Sequence, residues 1–160
     1  MNIRAIPSRF LYAAAFATTL ASCGKAEVDY GEPPLTGATI GGEFELTNKD
    51  GETVRWADFD GQYRIVYFGY AYCPDVCPTD MQRTIQGLNQ FTENEPELGA
   101  KIQPIFITID PERDTQEVVG EFANAFSERL IGLTGTPEQI ADAASTFKVF
   151  YAKGLSLIHI

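Results

Sequence analysis

The chain has 160 residues, 12 of them basic and 22 acidic, for a net charge of −10; 44% are apolar and 12% aromatic. That length suits one folded domain. The acidic balance leaves no basic face for a nucleic acid, so that class of partner is excluded.

Met1 to Arg9 carries two arginines and no acid, and Phe10 to Leu20 is an apolar stretch of 11 residues. Leu20-Ala21-Ser22-Cys23 closes it. A basic start, a short apolar core and small residues before the cut mark residues 1–22 as a signal peptide. The core is well short of the roughly 20 residues a spanning helix needs. The cut site resembles a bacterial lipobox, which would make Cys23 the first mature residue and put lipid on its sulfur. The chain is then expected to be exported, held at the bacterial cell membrane by acyl chains on Cys23, with its domain in the periplasm. Removing Arg4 and Arg9 with the leader takes the net charge from −10 to −12.

Residues 23–38 are rich in Gly, Pro and charge, without apolar periodicity, and read as a tether. The domain is expected over residues 39–160. Residues 42–47 alternate polar and apolar, Asn48-Lys49-Asp50-Gly51 has turn chemistry, and Glu52-Thr53-Val54 returns, which predicts a β-hairpin. Tyr63 to Gly69 is an apolar, aromatic, β-branched run, as in a buried strand. Helical spacing from Pro78 to Phe91 places Met81, Ile85, Leu88 and Phe91 on one face. Pro78 suits the first turn, Cys77 the cap, and Asp80 the positive helix end.

Residues 102–109 predict a second strong strand, followed by a loop over 110–114. The bland reading of Asp110 to Asp114 is loop and helix cap, and the functional one is a surface near the metal-binding loop for partner contact. Asp114-Thr115-Gln116-Glu117 reads as a cap, with Asp114 in that role, opening a helix that buries Val118, Phe122 and Phe126. Arg129 to Leu133 predicts a short strand. Thr136-Pro137-Glu138-Gln139 predicts another capped helix, carrying Ile140, Ala143, Ala144 and Phe147. Val149-Phe150-Tyr151 can start one more strand. Alternation of this kind is an α/β fold with helices packed on a sheet. A reactive loop at the carboxyl end of a central strand is where such sheets hold their chemistry. The expected architecture is thioredoxin-like with an N-terminal β-hairpin.

Three cysteines are present. With Cys23 assigned to the lipid, Cys73 and Cys77 remain, each followed by proline. As a structural staple they would constrain very little chain. A reactive or metal-binding pair fits better, because thiolate sulfur is a soft ligand suited to Cu(I) or zinc and a helix amino end favours the thiolate. The spacer of three residues, against the usual two of dithiol exchangers, argues against a standard oxidoreductase without excluding redox activity. Two buried small hydrophobes would be the bland alternative. Tyr67, Phe68, Tyr70 and Tyr72 read as strand and pocket wall.

Tyr-Cys-Pro-Asp-Val-Cys-Pro, Thr-Ile-Asp-Pro-Glu-Arg-Asp-Thr and Leu-Thr-Gly-Thr together resemble the Sco/SenC family, over about residues 37–153. The resemblance implies a thioredoxin-like copper chaperone serving the binuclear copper centre of cytochrome c oxidase subunit II. It also implies thiol–disulfide capacity at Cys73 and Cys77. The family binds copper with two cysteines and a distant histidine; the cysteines map onto Cys73 and Cys77. The family histidine follows an aspartate, and this chain has no Asp-His. His159 is its only histidine and the candidate third ligand by position. After Val149-Phe150-Tyr151 the chain departs from the family pattern, which reads as a truncated or frame-shifted frame lacking C-terminal strands and a helix. The alternative function is a thiol-disulfide oxidoreductase or peroxide-reducing protein of the same fold.

Overall fold

The computed structural model describes residue 31 and residues 35–152. Contacts divide the chain between Ala38 and Thr39. Before that boundary, residues 35–37 form a turn, with Ala38 N–H donating to Leu35 O at 2.9 Å. After it comes a hairpin, β1 (Glu45–Thr47) and β2 (Thr53–Arg55), antiparallel with Thr47 opposite Thr53. Asn48 makes its turn: the side-chain Oδ1 accepts from Asp50 N–H at 2.9 Å and Glu52 N–H at 3.0 Å, the local bonding that suits asparagine to turns. A 3-10 turn, Trp56–Phe59, leads to the central sheet.

That sheet has three parallel strands in the order β3 (Tyr63–Gly69), β4 (Ile102–Thr108), β5 (Ile131–Leu133). Register runs from Tyr63 opposite Ile102 to Gly69 opposite Thr108, and from Ile105 opposite Ile131 to Ile107 opposite Leu133. Thr47 bridges to Thr134, which brings the hairpin against the end of β5. The helices are α1 (Val76–Asn94), α2 (Gln116–Asn124) and α3 (Pro137–Thr146), with a short helical turn at Pro96–Gly99.

β4 is covered on both sides, as expected of a central parallel strand, and so reads as an apolar run rather than an alternation. Ile105 and Ile107 face Phe44, Leu46, Phe59, Leu133, Ile140 and Ala143, drawn from the hairpin side, β5 and α3. Phe106 faces the other way, towards Met81, Ile85, Val119, Ala123 and Leu130, drawn from α1, α2 and the approach to β5. Burying each of these large side chains contributes roughly 1.5–3 kcal/mol. Among the described residues no helix is long and apolar enough to cross a membrane.

Several local expectations change. α1 begins at Val76, so Cys77 and Pro78 lie inside its first turn and Asp75 is the capping position. Pro78 is tolerated there because the first helical N–H groups have no intrahelical acceptor. Asp80 lies beyond that turn, and its carboxylate instead accepts the Tyr67 hydroxyl at 3.2 Å. The cap of α2 is Thr115, whose hydroxyl accepts from Val118 N–H at 3.4 Å; Asp114 is buried just before it. The buried face of α2 accordingly holds Val119, Gly120 and Ala123, with Val118 and Phe122 half-buried. α3 has the expected capping box between Thr136 and Gln139.

Residues 149–151 form no strand; Phe150 is exposed. The chain leaves α3 through a left-handed residue, Lys148 at φ 59°, with Lys148 N–H on Ser145 O at 3.1 Å and Val149 N–H on Ala144 O at 2.8 Å. These two bonds are those of a Schellman motif, which favours glycine at the left-handed position. Lys148→Gly is expected to stabilise the fold by about 1 kcal/mol, seen as a higher denaturant midpoint with an unchanged slope.

Candidate functional site

β3 ends at Gly69, and the loop that follows carries both thiols before α1 begins. Cys73 and Cys77 are free cysteines and both buried, at 8% and 4% exposure. Cys77 N–H donates to Cys73 Sγ at 3.4 Å. Among the described residues no side-chain oxygen caps this helix end. One of its orphan N–H donors therefore rests on sulfur, where the positive end of the helix favours a thiolate.

The two thiols are shifted in opposite directions. Burial pushes Cys73 up, but the Asp75 N–H, the Cys77 thiol, the Cys77 N–H and the Tyr70 hydroxyl outweigh it, and its pKa falls below the ordinary thiol value. Burial and the neighbouring Cys73 sulfur push Cys77 up, against the backbone at Tyr70 and the Tyr67 hydroxyl. Burial, with Cys77 and Asp80 beyond, also raises Tyr67, keeping its hydroxyl a donor. Iodoacetamide is thus expected to modify Cys73 at lower pH than Cys77. Peptide mass spectrometry of early time points checks this; equal onset for both thiols would remove the asymmetry.

Three features support the pair: Gly69 was not assigned from the sequence, Asp114 was expected in another role, and the 110–114 loop lies near the cysteine loop, as its functional reading expected. Gly69 lies directly beneath it: a Cβ there would stand 3.1 Å from Cys77 Sγ, 2.7 Å from Tyr67 Cε1 and 3.2 Å from Phe106 Cε2. The only available signal was a glycine ending an apolar run. Asp114, expected as a cap, instead accepts Ala71 N–H and Thr108 Oγ1–H on Oδ2, each at 2.7 Å. Nothing in its sequence context marks it as buried. Arg113 sits 5.8 Å above each of the Tyr70 and Tyr72 rings and pairs with Asp110. The 110–114 loop thus packs on the cysteine loop. Val76 and Tyr72 are exposed beside it.

Cys23 and His159 lie outside the described residues. Among the described residues no group of three or more His, Cys, Asp or Glu is arranged to hold a metal ion. What they do supply is a pair of buried soft donors, one of them with a lowered pKa. That set suits a soft monovalent ion or a reversible disulfide.

Comparison with known proteins gives the family. The SCO1/SenC profile matches residues 32–156. The chain belongs to the SCO1/SenC family. It is 41% identical over 123 residues to the mitochondrial SCO1 homolog 1 of Arabidopsis thaliana, covering 76% of this chain and 36% of that protein. It is 43% identical over 114 residues to SenC of Rhodobacter capsulatus, covering 71% and 50%. The chain thus spans half or less of the length of these two curated relatives. Among solved structures, copper-bound ScoI of Arabidopsis thaliana superposes with a TM-score of 0.68 at 39% identity, covering 73% of this chain and 71% of that one. Copper-bound ScoI of Bradyrhizobium japonicum gives 0.66 at 34%, covering 74% and 73%. This SCO1/SenC domain has the thioredoxin-like fold expected from its alternating elements.

Proposed function

We propose that this chain is a copper metallochaperone that binds copper through Cys73 and Cys77. Its copper is passed to the binuclear centre of cytochrome c oxidase, on subunit II. The observation that carries this reading is the sulfur pair itself: two buried thiols at one helix amino end, one N–H bonded to the Cys73 sulfur at 3.4 Å. Family membership and the copper held by two solved relatives support it. Copper is cargo in this reading. The chain's own part is to present two soft donors in a preset loop, to lower the pKa of Cys73, and to shield both sulfurs from water. His159 is the candidate for a third ligand. Lipid on Cys23 would hold the domain at the periplasmic face of the membrane, within reach of the oxidase.

The opposed thiol shifts favour a second capacity, dithiol–disulfide exchange with cysteines of the recipient. A transfer assay tests the proposal. Copper-loaded protein is mixed with apo subunit II domain, the two are separated, and copper is counted on each. Copper found on the recipient supports delivery. Copper retained on the donor, with rapid disulfide exchange between the two proteins, would favour the oxidoreductase reading.

A further inference from the structure

We infer that Asp114 is a positioning residue for the Cys73–Cys77 loop, which rests on the reading that these two thiols work as a pair. Asp114 is completely buried, and it reaches across 43 residues of sequence to Ala71. The Ala71 N–H stands where β3 has ended and the ladder with β4 offers no further acceptor; the last such contact is Ile109 N–H on Gly69 O at 2.7 Å. Asp114 Oδ2 accepts that N–H, and also the Thr108 hydroxyl, both at 2.7 Å. Thr108 Oγ1 in turn accepts Asp110 N–H at 2.9 Å. The Asp114 backbone is held from the far side, its carbonyl accepting Thr134 Oγ1–H at 2.9 Å. One carboxylate oxygen therefore fixes the start of the cysteine loop to the end of β4, while the Asp114 backbone is anchored just past β5.

The other oxygen, Oδ1, is buried with no hydrogen-bond partner among the described residues. Leaving a buried acceptor unsatisfied costs stability. The arrangement instead buys a fixed approach of Cys73 to Cys77. A preset approach raises the effective concentration of one sulfur at the other, so releasing it weakens the disulfide.

The test is the dithiol–disulfide equilibrium of the reduced chain in glutathione buffers, read by thiol count. Oxidation removes two electrons and two protons from the pair, and oxidised glutathione leaves as two glutathione thiols. Asp114→Ala is expected to move the equilibrium at least tenfold towards the dithiol, about 30 mV, while a cooperative melt persists. Asp114→Asn keeps one acceptor oxygen and is expected to stay within threefold of the parent. A folded Asp114→Ala protein within twofold of the parent overturns the inference, as does an equal shift in both variants. If Asp114→Ala does not melt cooperatively, Thr108→Val decides: a shift of threefold or more towards the dithiol supports the inference, and a smaller one overturns it. The readout needs no copper, so a parent that fails to bind copper would count against the proposed function alone.

Discussion

Cys77→Ser and Cys73→Ser are each expected to lose Cu(I) affinity by more than ~100-fold, the upper end for residues that merely support a ligand. Serine replaces a soft, ionisable sulfur with a hard hydroxyl that stays protonated, so one of two donors disappears outright. The same substitutions discriminate against the bland alternative. If the thiols only fill space in the core, serine buries a hydroxyl and costs stability, on the order of 1–3 kcal/mol, with no specific effect on copper. Cys77 also touches the space above Gly69 and the Tyr67 hydroxyl, so Cys77→Ser is expected to destabilise more than Cys73→Ser. Competition with a Cu(I) chelator gives the affinity, and urea unfolding of the same samples gives the stability.

Gly69→Ala should injure both the fold and the site. The added Cβ would meet Tyr67 Cε1 at 2.7 Å and Cys77 Sγ at 3.1 Å. Tyr67 cannot easily swing aside: its ring stacks on Phe106 at 6.4 Å and its hydroxyl donates to Asp80. Overpacking of a well-filled core costs typically 1–3 kcal/mol, and the sulfur must give way as well. The expected result is a lower urea midpoint together with roughly tenfold weaker Cu(I) binding, the scale of a disturbed ligand support. Parent-like melting and binding would show that the sulfur does not rest against the strand end.

Most of the fold was legible because its elements obey local rules. Tyr63–Gly69 and Ile102–Thr108 are apolar runs of strand length, and Thr136 with Gln139 caps α3 as the pattern suggests. The cysteine pair was legible as chemistry because two thiols and two prolines coincide with a strand end. What the sequence hid was long-range. Asp114 looked like a cap because an acid before Thr115 fits that pattern, yet Thr115 serves alone and Asp114 turns inward to Ala71. Asp80 suited a helix dipole until Tyr67 claimed its carboxylate. Val149-Phe150-Tyr151 has strand propensity, but propensity yields to tertiary context, and the left-handed Lys148 redirects the chain before it.

The central claim is that Cys73 and Cys77 form one copper site. It is tested most directly by titrating the reduced chain with Cu(I) against a competing chelator, then repeating the titration after oxidising the pair to a disulfide. One equivalent bound tightly in the reduced protein, and none in the oxidised protein, is the predicted result. Equal binding in both states, or no binding by the reduced chain, would contradict it.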